Sequence, residues 1–403
     1  MDLILAQTVG LLVIALFVGI IARRLRLPYT VGLVITGTGL ALAHVEIGLV
    51  LTHDLIFEVI LPPLLFEAAL SIRWSELKRD MLPVLTLSTL GVVISALVVA
   101  GGMSYFLSWP IAPALVFGVL IAATDPVAVI AMFNDTGVKG RLRLLVESES
   151  LFNDGVAAVL FGLALTWAQA SGASTIGPFS FAATLIVTSG GGIAVGLAIA
   201  AAVMAVAGRT GDHLTETALT TIAAYGSFLV AQHFQLSGVL ATVSAGLVLG
   251  NVVEFGKPKR KIISDAGRAF LMEFWEFAAF IANSFVFLLI GAAIAAVPFG
   301  GLGWVTLLSA IGLVLAGRLV TVYLLCLPFR RTKWAIPLRE QHILWWGGLR
   351  GALALALALS LPSSLAFHNQ ILIAAFGVVA FSVVIQGLTL PLLLRKLGLL
   401  AET

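Results

Sequence analysis

The sequence predicts an all-α polytopic membrane protein of about thirteen transmembrane helices, and three observations predict it. Hydrophobic residues make up 60% of the 403 and charged ones only 11%, where a soluble domain carries about a quarter. Most of the surface must therefore face lipid. The apolar residues also fall in runs that approach or exceed the roughly 20 residues a bilayer-crossing helix needs, and the basic residues collect in every second connector between them.

The first span, 3–22, is followed by Arg23, Arg24 and Arg26. It lacks a basic start and a small-residue cleavage site, so no cleavable signal peptide is expected. Span two covers 29–44 and span three 52–70, with Arg73, Lys78 and Arg79 behind the third. Span four, 82–108, leads into span five, 111–133, which closes on Lys139, Arg141 and Arg143. Span six runs 143–170 and span seven 179–208, the latter ending at Arg209. Spans eight, 213–233, and nine, 236–252, precede a connection that carries Lys257, Lys259, Arg260 and Lys261, with Arg268 just beyond. Spans ten, 266–297, and eleven, 302–327, lead to Arg330, Arg331, Lys333 and Arg339. Span twelve is 340–361, and span thirteen, 368–397, ends on Arg395 and Lys396. Spans two and nine are short.

Every basic residue except Arg318 and Arg350 thus falls on one side. The positive-inside rule then puts the amino end outside and the carboxyl end in the cytoplasm. The net charge of +3 needs no nucleic-acid partner, because cytoplasmic loops meeting anionic headgroups account for it. Cys326 is the only cysteine, which excludes disulfides within the chain and cysteine metal sites.

Five charges inside spans carry the functional reading: Asp125, Glu149, Asp154, Arg318 and Arg350. An ionisable group at membrane depth is by default a functional-site hypothesis. At about 1.5 Å per helical residue, Asp125, Asp154, Arg318 and Arg350 lie roughly 12 to 17 Å from the cytoplasmic end of their spans and Glu149 roughly 9 Å, so they can meet. Pro126 removes a backbone donor and pushes Asp125 out of the helical region, which breaks span five. Ser150 stands four residues before Asp154 and shares its face, whereas Glu149 points about 140° away and needs another partner, for which Arg318 is the candidate.

Thirteen spans permit an inverted repeat. Repeat one covers about 1–170, a linking helix about 179–208, and repeat two about 213–397, so that span five pairs with span twelve. Span twelve is interrupted at the matching place, by Gly347, Gly348 and Gly351 around Arg350. Paired broken helices in two halves are the sequence pointer to a secondary-transporter site. Their half-helix ends would bring two positive and two negative dipole ends together, with Asp125 placed to offset the positive ones and Arg350 the negative ones.

At these residues the chain resembles the cation/proton antiporter-1 family, the sodium/proton exchangers, and most of all its NhaP-type prokaryotic members. The matching stretches are LPPLLFEAAL (61–70), ATDPVAV (123–129), ESLFNDGVA (149–157), LSGVLATVSAGLVLG (236–250), LAGRLV (315–320), GGLRGALA (347–354) and VIQGLTLPLL (384–393). The resemblance implies a multi-pass protein of a prokaryotic plasma membrane, a homodimer with interleaved core and dimerisation parts, and elevator-like alternating access. It implies cation ligands at Asp154, Asp125, Ser150 and the Thr124 carbonyl, with Glu149 and Arg318 as a structural ion pair. Asn153, counted with the cation- and proton-binding residues, goes, in that family, with electroneutral one-for-one exchange.

The chemistry follows without the family. A sodium, lithium or potassium ion must have its hydration shell replaced by hard oxygen ligands, and carboxylates, a hydroxyl and freed carbonyls supply them. A proton competes for the same carboxylate oxygens. Competition plus alternating access is antiport, with no cofactor beyond the transported ions. Potassium/proton antiport and a cation channel on the same scaffold are the alternatives. Intramembrane aspartyl proteolysis also needs two membrane aspartates, but the contexts Thr-Asp-Pro and Asn-Asp-Gly do not match it. Glu58, Glu67, Glu273 and Glu276, also in spans, read as rim, packing or interface residues. The cluster Gly190 to Gly196 reads as close helix packing, since no phosphate-binding sequence accompanies it.

Overall fold

A computed structural model describes residues 2–25, 27–45, 48–170, 178–209, 212–253 and 265–399, and these form helices and no strands. The connector residues Arg26, Lys257, Lys259, Arg260 and Lys261 and the end at Thr403 lie outside the described residues. Every apolar range read from the sequence holds helix. In order these are α1 (Asp2–Leu25), α2 (Tyr29–Leu42), α3 (Leu61–Ser71, entered through a π turn at Leu55–Ile60), α4 (Trp74–Leu107), α5 (Ile111–Leu120), α6 (Val127–Thr136), α7 (Arg141–Gln169) and α8 (Pro178–Ala207). Then follow α9 (His213–His233), α10 (Gly238–Val253), α11 (Asp265–Ala296), α12 (Trp304–Cys326), α13 (Leu338–Trp346), α14 (Ala352–Leu359), α15 (His368–Phe381), a second π turn at Ser382–Gln386, and α16 (Gly387–Lys396).

By length and composition, six described helical stretches suffice to cross a membrane: Trp74–Leu107, Arg141–Gln169, Ser180–Ala207, Gly267–Ala296, Trp304–Cys326 and His368–Lys396. Their apolar surfaces and those of their neighbours are not all buried. Val9, Val13, Leu16, Phe17 and Ile20 stand exposed along α1, as a lipid-facing stripe at helical spacing must. The α4 helix starts eight residues before the predicted span, because its charged first two turns project beyond the apolar run. It departs from helical geometry at Asp80 (φ −110°, ψ 16°) and contains Pro83, whose missing N–H accounts for the bend. Asp212 caps α9, accepting from the Leu214 and Thr215 amides and the Thr215 hydroxyl. The Thr215 hydroxyl and amide hold this exposed carboxyl below the usual carboxylate range.

The helices sort by packing into two groups. In one, α4 lies against α5, α7 and α12, and α12 and α14 reach α15. In the other, α2 packs on α11, and α3, α8 and α9 surround α10. Close approach in the second group depends on small residues. A methyl group at Gly37 would stand 2.0 Å from the Leu288 carbonyl oxygen, and one at Gly291 would stand 2.2 Å from that of Val34. The glycine cluster of α8 packs as expected: a methyl at Gly192 would meet the Ser237 carbonyl oxygen at 2.4 Å and one at Gly196 that of Ala241 at 2.1 Å. Gly190 faces open space. A separate apolar cluster of Phe66, Leu70, Ala224, Leu249 and Trp275 joins this group, with Trp275 Nε1 donating to Thr220 Oγ1 at 3.0 Å.

Candidate functional site

Spans five and twelve are both broken, and the breaks touch. The α5 helix stops at Leu120 and α6 begins at Val127; α13 stops at Trp346 and α14 begins at Ala352. Across the gap the Asp125 amide donates to the Leu349 carbonyl at 2.8 Å. Pro126 has no N–H to continue a helix. The Asp125 carboxylate takes over the first free amide of α6, Oδ1 accepting from Val127 N at 2.9 Å. The other carboxylate oxygen lies against the start of α14: a methyl at Gly351 would sit 1.8 Å from Oδ2. Asp125 therefore faces two helix amino ends, where negative charge is favoured.

Opposite it stands α7. Thr124 Oγ1 donates to Ser150 Oγ at 3.1 Å, tying the first break to this helix. Asp154 is 5% exposed, and among the described residues its Oδ1 is a buried acceptor without a hydrogen-bond partner. Asp125, Glu149 and Arg350 are within electrostatic reach of its carboxylate. Asn153 turns the other way. Its amide nitrogen donates to the Ala122 carbonyl at 3.3 Å and to Glu149 Oε1 at 3.4 Å, so it satisfies a carbonyl freed by the break.

Glu149 meets Arg318, as its angular offset predicts. Arg318 Nη1 donates to Oε1 at 2.7 Å and Nη2 to Oε2 at 2.8 Å, and Nε and Nη2 also reach the Leu344 carbonyl of α13 at 3.2 and 3.1 Å. Gly348 leaves room for this guanidinium, since a methyl there would lie 2.7 Å from Arg318 Nε. Arg350 Nη1 donates to the Gly348 carbonyl at 2.9 Å, on a carboxyl-terminal helix side where positive charge is favoured.

A cavity of about 760 Å³ opens onto the site. Thr124, Asp125, Pro126, Asp154 and Gly351 line it, whereas Ser150, Asn153 and Arg350 do not. It also contains groups the sequence reading set aside. Glu67 and Glu276, expected at rims or in packing, face the same cavity as Asp154, and so do Arg143 and Glu147. Glu147 accepts from Ser71 Oγ at 3.0 Å and lies 3.8 Å from Arg143. Helical arithmetic held the signal: Arg143 and Glu147 stand eleven and seven residues before Asp154, about 20° from its direction. Glu58 and Glu273 are exposed and outside this cavity.

Two interrupted helices joined at their breaks, with a buried carboxylate from a third helix beside them and a cavity leading in, define a secondary transporter for ions. The chain belongs to the sodium/hydrogen exchanger family, whose transmembrane model matches residues 12–396. It is 42% identical over 383 residues to the Na(+)/H(+) antiporter ApNhaP of Aphanothece halophytica, covering 94% of this chain and 71% of that one. It is 35% identical to the Na(+)/H(+) antiporter NhaH of Halobacillus aidingensis over 98% of both chains. The fold matches the sodium proton antiporter MjNhaP1 of Methanocaldococcus jannaschii at a TM-score of 0.75 and 22% identity, covering 98% of this chain and 99% of that one.

Proposed function

We propose that the chain exchanges sodium or lithium for protons across the membrane, one for one, with Asp154 as the group that binds either ion in turn. The observation that carries this is the buried, unpartnered Asp154 Oδ1 beside the Asp125 break, on a residue that lines the cavity together with Asp125, Glu67 and Glu147. Asp125, the Thr124 carbonyl and the Ser150 hydroxyl complete the ligand set, and a monovalent cation displaced by a proton leaves the same net charge. Asn153 contributes by holding the break open rather than by titrating, which favours one-for-one exchange. Glu149 and Arg318 neutralise each other and anchor α13.

The α4–α7 and α12–α16 group is the moving core, and the α2, α3 and α8–α11 group the static part, through which two copies form a homodimer. Thirteen spans in two inverted six-helix repeats, with the amino end outside and the carboxyl end in the cytoplasm of a prokaryotic cell, fit this reading. Purified protein in vesicles, driven by sodium, lithium or potassium gradients across pH, tests it. Proton movement coupled to sodium and lithium supports it. A preference for potassium would move the assignment to potassium/proton antiport, and an ohmic current indifferent to the proton gradient would make the chain a channel.

A further inference from the structure

The stretch VIQGLTLPLL supplies none of the proposed ligands, yet its start lies against the second break. Over Ser382–Gln386 the last long helix takes one π turn, a feature often found at functional places. Ser382 and Gln386 are 0% and 3% exposed. Ser382 Oγ accepts from the Arg350 amide at 2.8 Å and donates to Gln386 Oε1 at 2.7 Å, and Gln386 Nε2 donates to the Trp346 carbonyl at 2.9 Å.

A break in a buried helix frees backbone groups that must all find partners. Here Gly347 N bonds Ile343 O, Leu349 N bonds Gly347 O, and Asp125 N bonds Leu349 O. Arg318 takes Leu344 O, and Arg350 Nη1 takes Gly348 O. Two further groups of the break, the Trp346 carbonyl and the Arg350 amide, are taken by Gln386 and Ser382. These two bonds bracket the segment 347–349, whose last carbonyl holds Asp125. A glutamine fits because one side chain offers both a donor and an acceptor: the donor goes to the break and the acceptor to Ser382.

We infer that Ser382 and Gln386 are positioning residues for exchange. They fix the register of the 347–351 break, so that Leu349 O keeps Asp125 in place and Arg350 faces the Asp154 side, and they set the affinity for the cation without touching it. The inference rests on the antiport reading.

The test compares wild type, Gln386→Ala, Ser382→Ala and, as a control, Thr389→Val in vesicles with a sodium gradient. Thr389 accepts from Trp346 Nε1 at 2.9 Å and so binds the same tryptophan by its ring rather than by the break. Loss of either positioning bond is expected to raise the apparent KM for sodium about five- to tenfold, the effect of one misplaced buried hydrogen bond, with the maximal rate per folded transporter kept within about twofold. Thr389→Val should keep the wild-type KM. Stabilisation by sodium against heating in detergent reads the same affinity without transport, and half-saturation should move by the same factor. An unchanged KM and unchanged sodium half-saturation in both variants, or losses of rate and folded protein alone, overturn the inference. Absence of sodium/proton exchange by the wild type in the same vesicles overturns the antiport reading instead.

Discussion

Arg318 grips Glu149 with both arms, at 2.7 and 2.8 Å, while the pair is only 6% and 2% exposed in its side chains. Such a fork-on-carboxylate geometry is the strong form of an ion pair. It also ends α13, because the same guanidinium caps Leu344 O. The pair therefore links α7, α12 and the second break in one contact.

Removing one partner leaves a buried uncompensated charge, at a cost of about 3–5 kcal/mol. Glu149→Gln and Arg318→Met should each lower the thermal unfolding temperature in detergent strongly. The double variant should recover much of that loss, because the charges were in contact. Additive losses would show that the two act separately.

Asp154→Asn is expected to abolish cation-coupled proton movement and leave a folded protein. Asparagine keeps the size and polarity of the side chain but can neither hold a proton nor neutralise a cation. Near-normal exchange by this variant would remove Asp154 from the centre of the mechanism.

Gly351→Ala should also stop exchange, by another route. Its methyl would occupy the place of Asp125 Oδ2, at 1.8 Å, so the carboxylate must leave the α14 amino end. Sodium should no longer stabilise the variant against heating, whereas alanine at Gly312, where a methyl meets nothing within 4 Å, should keep the wild-type response. Sodium stabilisation equal to wild type in Gly351→Ala would mean that Asp125 does not need that position.

The two breaks were legible because proline and glycine act on the backbone locally, and the direction of Glu149 because a regular helix fixes angles between residues on it. What faces a helix from elsewhere is not encoded in its own periodicity. So Asn153 read as a ligand neighbour, although it bonds the Ala122 carbonyl across the break, and Glu67 read as packing, although α3 turns it into the cavity of Asp154. The π turn at Ser382–Gln386 was hidden for a different reason. One extra residue per turn leaves no mark in an apolar run, so Gln386 could be quoted as part of a motif without a reason for its type. Arg143 and Glu147 were the readable omission, since both share the Asp154 stripe of α7.

Exchange is expected to be electroneutral, with a pH dependence that follows competition at one site. Asn153 cannot carry a proton, and Glu149 is held by Arg318. Glu147 keeps its own partners, Ser71 and Arg143. Asp125 and Asp154, within electrostatic reach of each other, then titrate as a coupled unit. If the other carboxylates hold their charge in both loaded forms, a proton replaces one monovalent cation and no net charge crosses. The apparent sodium affinity should weaken as pH falls, because protons occupy the same oxygens, and saturating sodium should restore the rate at modestly acidic pH. Transport should ignore membrane voltage. The measurement clamps the potential with potassium and valinomycin during sodium-driven exchange, once potassium is shown not to be a substrate. A rate that changes steadily with the imposed voltage, or a sodium-jump current that persists in steady state on a solid-supported membrane, would require a second proton per cycle and a second carboxylate that releases it, for which Glu67 in the same cavity would be the first to substitute.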